Sequence, residues 1–349
     1  MKQTIRIAAL FCAAVCCLAA QNLFAEEGEK ETLLKSLRQA REDWIENASF
    51  YGHFIHRRGS FASEEEAMTA ELDDAGASTG FACKLKNKYR RQIILPPRDR
   101  GGETVPQATF DNIANDRFSV TSWRNAGYYL DRPEGGYIKK LSGKPGASFR
   151  DLNEVTTPWW VFTAQANLLY SQREDAEIPD CEYTKPEDGR ALLKVRETLP
   201  PMEEGDSGLV LDQEVTVRTD TEEPLVERIV TFVYDEGKYD EGKETPFAKQ
   251  IVDILEWREC GGVPVPTRFR WVHGIIDPAL QKKPGWLCWE FQFTDLGERQ
   301  PTDGDFKLEV RAGDNIPPLK RIPENNIIDI DAITDDDLDL SGISESNQK

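Results

Sequence analysis

Apolar and polar residues alternate along much of the second half of the chain, which is the pattern of a β-strand with one buried face. In residues 211–218, 265–271 and 289–293, apolar side chains occupy most of the alternate positions, and charged or polar side chains lie between them. One apolar face and one polar face on each strand predict an antiparallel sheet that is covered on one side only.

Glycine-containing turns connect several of these predicted strands. Residues 260–262 (Cys-Gly-Gly) separate the runs 249–258 and 263–272, and residues 187–189 (Glu-Asp-Gly) separate 181–185 from 191–197. Each arrangement is typical of a β-hairpin. Repeated hairpins predict a meander of antiparallel strands rather than the strand–helix alternation of a parallel sheet.

Two segments have the pattern of helices. In residues 30–47, apolar side chains recur at intervals of three and four, and charged residues fill the other faces. Residues 159–171 follow Pro158 and form a short apolar run with strand patterns on both sides. We expect an N-terminal helix and a central helix that covers the sheet. The apolar positions of the first helix are Leu33, Leu37, Ala40, Trp44 and Ile45.

Two other segments are predicted to be peripheral. Residues 59–78 are rich in Ser, Glu, Ala and Asp, which indicates an exposed insertion. Residues 317–349 contain many aspartates and no aromatic residue. This composition predicts a disordered acidic tail.

The first 25 residues have the order of a secretory signal peptide. Lys2 and Arg6 precede the apolar run 7–20, and the small residue Ala25 offers a cleavage site. The run is shorter than the roughly 20 residues that span a bilayer, so we expect cleavage and export to the periplasm or the extracellular space. No later run is long enough to span a membrane. A lipoprotein signal is the alternative, through Cys12, Cys16 or Cys17, although none of them follows Ala, Gly or Ser.

The net charge and the cysteine content limit the possible ligands and covalent links of the chain. The formal charge of −19 disfavours binding to nucleic acid, because the phosphate backbone repels an acidic surface. Outside the signal segment the chain has four cysteines. In an oxidising compartment they can form two disulfides or remain as small buried residues. They are Cys83, Cys181, Cys260 and Cys288.

Three local motifs resemble the LolA/LolB-like superfamily of secreted bacterial envelope proteins. Residues 50–54 (FYGHF) resemble its opening strand, residues 109–112 (TFDN) with 118–120 (FSV) resemble a later strand pair, and residues 256–266 (EWRECGGVPVP) resemble a late hairpin. The resemblance covers about residues 30–300 in the order of elements. It implies an α+β fold in which a curved antiparallel sheet, an incomplete β-barrel, wraps around an N-terminal and a central helix. The implied half-barrel domain spans residues 26–316.

The chain lacks the common signatures of catalysis. It has no GxSxG, HExxH or phosphate-binding GxxxxGK[ST] motif. Its three histidines are His53, His56 and His273, and the odd separation of the first two places them on opposite faces of a strand. We therefore expect a protein that is not an enzyme and has no cofactor or metal.

Aromatic residues are the most informative chemical feature. The chain has eight Trp, sixteen Phe and nine Tyr. They can simply fill the core, or they can line an apolar groove that a curved sheet leaves open for a lipid or a lipoprotein acyl chain. The alternative function is a protein-interaction or sensor module that binds an envelope protein and fills the groove with its own side chains. The predicted lining residues are Phe54, Trp123, Phe269, Trp271, Phe291 and Phe293.

Overall fold

The computed structural model describes residues 27–40, 42–44, 46–100, 102–126, 135–141, 143, 181–199, 208–238, 246–276, 285–311 and 314–339. The chain divides into two compact units. Unit 1 comprises Met1–Arg41 and Gln165–Ile251, and unit 2 comprises Glu42–Ala164 and Val252–Lys349. Residues 26–316, which the sequence predicts to form one half-barrel domain, contribute to both units. The predicted signal segment, the predicted strand 127–130 and the predicted central helix 159–171 lie outside the described residues.

The elements are mostly antiparallel strands, with an N-terminal helix α1 at residues 27–40, 42–44 and 46–47. Short 3-10 helices occupy Glu236–Lys238, Asp303–Phe306 and Asp335–Asp337. The strands and the second helix, in chain order, are β1 (Phe50–Phe61), α2 (Glu64–Thr69), β2 (Ser78–Leu85), β3 (Lys88–Leu95), β4 (Arg98–Arg100), β5 (Glu103–Val105), β6 (Ala108–Ala114), β7 (Phe118–Arg124), β8 (Gly135–Lys140), β9 (Cys181–Glu187), β10 (Arg190–Leu199), β11 (Leu209–Arg218), β12 (Leu225–Asp235), β13 (Ala248–Cys260), β14 (Val263–Ile275), β15 (Trp286–Phe293), β16 (Lys307–Glu309) and β17 (Ile327–Asp329).

Unit 1 contains the first part of α1 and the antiparallel strands in the order β12-β11-β10-β9. Leu193, Val215 and Ile229 lie directly opposite one another on β10, β11 and β12, and all three are buried. The apolar positions Leu33 and Leu37 of α1 are also buried. The predicted amphipathic helix and the hairpin at residues 187–189 are therefore confirmed.

Unit 2 contains a larger antiparallel sheet in the order β8-β7-β6-β3-β2-β1-β15-β14, followed by the later part of β13. Cross-strand pairing defines its two faces. Phe54 lies opposite Phe293 and Gly80, and the same row continues through Ile93, Phe110 and Trp123. We call the face that carries this row the aromatic face. Only glycine fits at position 80, because a Cβ there would clash with the backbone carbonyl oxygen of Gln92 and would lie 2.8 Å from the ring of Phe54.

The C-terminal segment covers much of the opposite face, which corrects the prediction of a disordered tail from residue 317. Ile328, Ile330 and Ile333 are buried against side chains of β2, β6, β7 and β8. The segment also binds the outer edge of β8, because Gly136 N donates to Asn315 O (3.1 Å) and Ile138 N donates to Pro317 O (2.8 Å). Only residues 340–349 of the predicted tail lie outside the described residues.

The predicted exposed insertion at residues 59–78 is also corrected. β1 continues to Phe61, and α2 follows, capped by Ser63, whose Oγ accepts from Glu66 N at 3.1 Å. Ala67 of this helix is fully buried. Because α2 and the C-terminal segment pack on the opposite face, that face is not simply the solvent-exposed polar side that the alternation predicts. Two of its charged residues, Arg270 and Glu290, are buried.

The wider fold prediction is confirmed in its coarser form. The described part of the chain is an α+β structure of antiparallel strands with an N-terminal helix, and among the described strands β8 pairs with β7 alone, so the sheet of unit 2 is open. Of the two alternatives for the cysteines, the described structure shows small buried residues and no disulfide: Cys83, Cys181, Cys260 and Cys288 are all buried free thiols. Burial raises the pKa of Cys83 to about 12 and those of Cys260 and Cys288 to about 11.

Candidate functional site

Four of the six predicted groove residues form one buried aromatic cluster on the aromatic face. The ring centroid of Phe291 lies 4.7 Å from Phe54, 5.1 Å from Phe269 and 5.1 Å from Phe293. All four residues are buried. Contacts of this kind stabilise a core, so we interpret these four rings as core residues.

Trp123 lies on the same face but outside this cluster. It packs with Ala108 and Ala126, and its ring centroid lies 6.0 Å from that of Tyr137. Strands β2, β3 and β6 separate it from Phe54 in the sheet order. Alternation along single strands predicts the face correctly, but it does not give the distance between strands.

The sixth residue, Trp271, belongs to a partly exposed apolar surface. Its ring stacks on that of Trp289, its direct partner on β15, with centroids 4.6 Å apart. Leu287 and Ile275 are 40% and 38% exposed, and strand alternation places both on the aromatic face. We call Trp271, Trp289, Leu287, Ile275 and the half-buried His273 the tryptophan patch.

The sequence prediction missed Trp289 and Leu287, although the alternating run 289–293 contains the signal for the first of them. Four of the six residues that the sequence predicted are phenylalanines, and all four are buried. Partial exposure distinguishes a surface that can bind a ligand from a core, and it depends on neighbouring strands that no local pattern identifies.

The charged groups of the aromatic face are cations. Arg58 is exposed and lies directly opposite Trp289, and Lys84 and Arg91 are buried on β2 and β3. Among the described cross-strand pairs of β1, β2, β3, β6, β7, β8, β14 and β15, no position on this face is Asp or Glu. The charged strand residues of this face are therefore positive, although the whole chain has a formal charge of −19.

Burial shifts the pKa values of several titratable groups on this face, among them His56 and Lys84. The pKa of His56 falls to about 4, first because burial disfavours its charged form and second because Arg58 and Arg91 are nearby. The pKa of Lys84 falls to about 7, again through burial. The Lys84 ammonium nitrogen donates to the carbonyls of Ala48 (2.9 Å) and Lys86 (2.8 Å), and it lies 5.5 Å from the ring centroid of Trp44 in α1.

The opposite face of unit 2 carries polar clefts. One, of about 320 Å³, lies between the sheet and β16. At its base Arg90 makes two hydrogen bonds to Asp111, Nε to Oδ1 at 3.0 Å and Nη2 to Oδ2 at 2.7 Å. Arg124 also lines this cleft, and its Nη2 donates to the carbonyl of Glu309 at 2.9 Å. These groups suit a polar ligand, not a lipid chain.

The histidines occupy the positions that the sequence predicts. Cross-strand pairing places His53 opposite Phe81 and His56 opposite Phe291, on different faces of β1. His53 Nδ1 lies 2.7 Å from Asp295 Oδ2, and Nε2 lies 3.4 Å from the Tyr51 hydroxyl. In the part of the chain that the structure describes, no three His, Cys, Asp or Glu side chains are grouped to hold a metal ion.

Comparisons with known proteins do not identify a family. No family model matches the chain, and no curated protein matches it. One matching solved structure is MucB in complex with MucA(peri), at 8% identity and a TM-score of 0.09, covering 75% of this chain and 93% of that chain. At this TM-score the likeness carries no argument. None of the described helices has the length and apolar character needed to cross a membrane.

Proposed function

We propose that this chain is an exported, non-catalytic binding protein of the cell envelope, and that its tryptophan patch binds a lipid or a lipoprotein acyl chain. The single observation that supports this proposal is the Trp271–Trp289 stack. It lies on the aromatic face beside exposed Leu287 and Ile275. A contiguous exposed apolar surface is commonly a binding site.

The physical chemistry of the patch suits an amphiphile. Burial of each methylene group contributes about 0.8 kcal/mol, so an acyl chain that lies along the tryptophan rings gains affinity without a specific polar contact. Arg58 is exposed directly opposite Trp289. Its guanidinium can pair with a carboxylate or phosphate at the end of such a chain.

The export signal and the half-barrel arrangement belong to the same proposal. A cleaved segment at residues 1–25 would deliver the protein to the periplasm or the extracellular space. A LolA/LolB-like sheet that curves around its helices would place the aromatic face on its concave side. We propose this arrangement on the basis of the local motifs and of the N-terminal helix.

The second candidate function is a protein-interaction or sensor module. It is favoured by the packing of Phe54, Phe269, Phe291 and Phe293, which contact one another and are all buried. In this alternative the tryptophan patch contacts a protein partner in the envelope, and the aromatic interior serves only as a core.

Native mass spectrometry of refolded, delipidated protein tests the first function. After incubation with palmitate or with phosphatidylglycerol, we expect adducts of one ligand mass. Leu287→Ser should reduce the adduct, because it places a hydroxyl within the patch. Leu255→Ser is the matched control, since Leu255 is 45% exposed on β13 and lies outside the patch. Absence of adducts in the wild-type protein would contradict lipid binding and favour the second candidate.

A further inference from the structure

A cleft of about 370 Å³ on the opposite face of unit 2 has an unusual concentration of arginine. It lies between α2, with the loop that follows it, and strands β1, β14 and β15. Arg57, Arg268 and Arg270 line it together with Glu290 and Gln292. We call it the arginine cleft. It is separate from the tryptophan patch and does not depend on the function proposed for that patch.

All three guanidinium groups converge on the carboxylate of Glu290, which is 3% exposed. Arg270 Nη2 donates to Oε2 at 2.8 Å, and Arg268 Nη2 donates to Oε1 at 3.1 Å. Arg57 Nη1 approaches Oε1 at 3.4 Å and also donates to Gln292 Oε1 at 3.0 Å. One buried carboxylate thus faces three cations, and the buried part of the cleft has an excess of positive charge.

Arg270 is held rigidly and still has an unused donor. Its Nη1 donates to the carbonyl of Met68, and its Nη2 donates to that of Ala70 at 2.8 Å, so the C-terminal end of α2 fixes the side chain. The residue is 9% exposed, and its Nε is buried without a hydrogen-bond partner. A buried donor that is left unpaired destabilises the fold, because it has lost its hydrogen bonds to water. A ligand oxygen that accepts from this group would remove that penalty.

Among the described residues, exposed acidic side chains at the mouth of the cleft balance this excess charge. Asp74 Oδ1 accepts from Arg57 Nε at 2.7 Å, and the Asp74 side chain is 67% exposed. Glu256 Oε1 lies 3.5 Å from Arg268 Nη1 and is 55% exposed. Exposed ion pairs of this kind contribute little to stability, because solvent and salt screen them. A stronger anion can therefore displace them.

The geometry points to an oxyanion site in the arginine cleft, which takes a carboxylate or a phosphate group and which Asp74 occupies in its absence. A planar guanidinium presents paired N–H donors that match the oxygens of both groups. Glu71 and Asp73 also line the mouth, and both are exposed, so salt and water screen their repulsion. The guanidiniums of Arg57 and Arg270, whose side chains are 13% and 11% exposed, are screened less, so they favour an anionic ligand.

NMR detection of arginine Nε–H groups tests this site in the full chain. Sodium phosphate or sodium acetate is titrated at constant ionic strength, with sodium chloride as the reference salt. We expect the Arg270 Nε–H resonance to move in a saturable manner with phosphate, with acetate, or with both. A response to only one salt identifies phosphate or carboxylate as the preferred group. A response no greater than that to chloride overturns the proposal.

Two variants in the cleft, each with a control variant elsewhere in the chain, show whether the NMR response comes from the arginine cleft. Asp74→Asn removes the competing carboxylate and should tighten binding about fivefold, whereas Asp188→Asn, in the exposed turn between β9 and β10, should not change it. Arg268→Gln should weaken binding about tenfold, and Arg196→Gln, which removes an exposed cation of unit 1, should have no effect. Equal effects of the cleft variants and their controls would show a general response to charge and would contradict the site.

Discussion

Trp271 of β14 and Trp289 of β15 are direct cross-strand partners, and their rings stack with centroids 4.6 Å apart. Both rings remain partly exposed, whereas Phe269 and Phe291, the next pair along the same two strands, are buried. One face of the sheet therefore changes from core to accessible apolar surface within two residues. The proposed function depends on this boundary.

Trp289→Ala should weaken binding of palmitate more than it destabilises the fold. Removal of a large aromatic contact surface is expected to reduce affinity by about 2 kcal/mol, or roughly thirtyfold. Isothermal titration calorimetry measures this change. Trp286→Ala is the matched control, because Trp286 lies on the same strand but alternation places it on the opposite face. Equal losses of affinity in the two variants would contradict a site at the tryptophan patch.

Phe291→Ala, in contrast, should mainly destabilise the fold. Phe291 is 1% exposed and contacts Phe54, Phe269 and Phe293, so its truncation should lower the free energy of unfolding by about 3–5 kcal/mol. Urea denaturation monitored by circular dichroism provides the measurement. Leu255→Ala should change stability by less than about 1 kcal/mol, since that side chain is largely exposed. A small effect of Phe291→Ala would indicate a loosely filled groove.

His56 should make stability depend on pH. Its pKa in the folded state is about 4, below the ordinary value of 6.5, because burial disfavours the charged form. Between these values the unfolded chain binds more protons, so stability should rise from pH 4 to pH 6.5, by at most about 3 kcal/mol. Urea denaturation across this range compares the wild type with His56→Gln. If both proteins lose stability equally on acidification, His56 is not buried in its neutral form.

The C-terminal segment should be an integral part of unit 2. Ile330 is fully buried, so Ile330→Ala should lower the free energy of unfolding by about 3 kcal/mol. Ile327→Ala, at a half-buried position of β17, should lower it by only about 1 kcal/mol. Chemical denaturation compares the two. No loss of stability in Ile330→Ala would mean that the segment does not pack on the sheet in solution.

Local patterns predicted an element correctly where the residues of the pattern themselves form that element. The three- and four-residue spacing of Leu33, Leu37 and Trp44 gives the buried stripe of α1, and glycines with positive φ at 261 and 262 form the predicted hairpin turn. The same reasoning misjudged the C-terminal segment, because its many aspartates outweighed Ile328, Ile330 and Ile333. Their spacing was the available signal that the segment packs.

The candidate site could be predicted only in part. Phe54 and Phe293 are direct partners although residues 55–292 lie between them in the sequence, and no local pattern gives such a pairing. The sequence identified a shared apolar face, but it could not separate the buried phenylalanines from the partly exposed tryptophans. It also placed Arg270 and Glu290 on a solvated face. The covering helix α2 was not predicted, and it is the carbonyls of Met68 and Ala70 that hold Arg270 in place.

The most direct test of the central claim is quenching of tryptophan fluorescence by a brominated fatty acid, which requires contact between the bromine atoms and the indole ring. We predict saturable quenching of the wild-type protein by dibromostearate, and loss of most of that quenching in Trp271→Phe/Trp289→Phe, which keeps an apolar surface but removes both fluorophores from the patch. Absence of quenching, or quenching that is unchanged in the double variant, would contradict a lipid-binding site at these two residues.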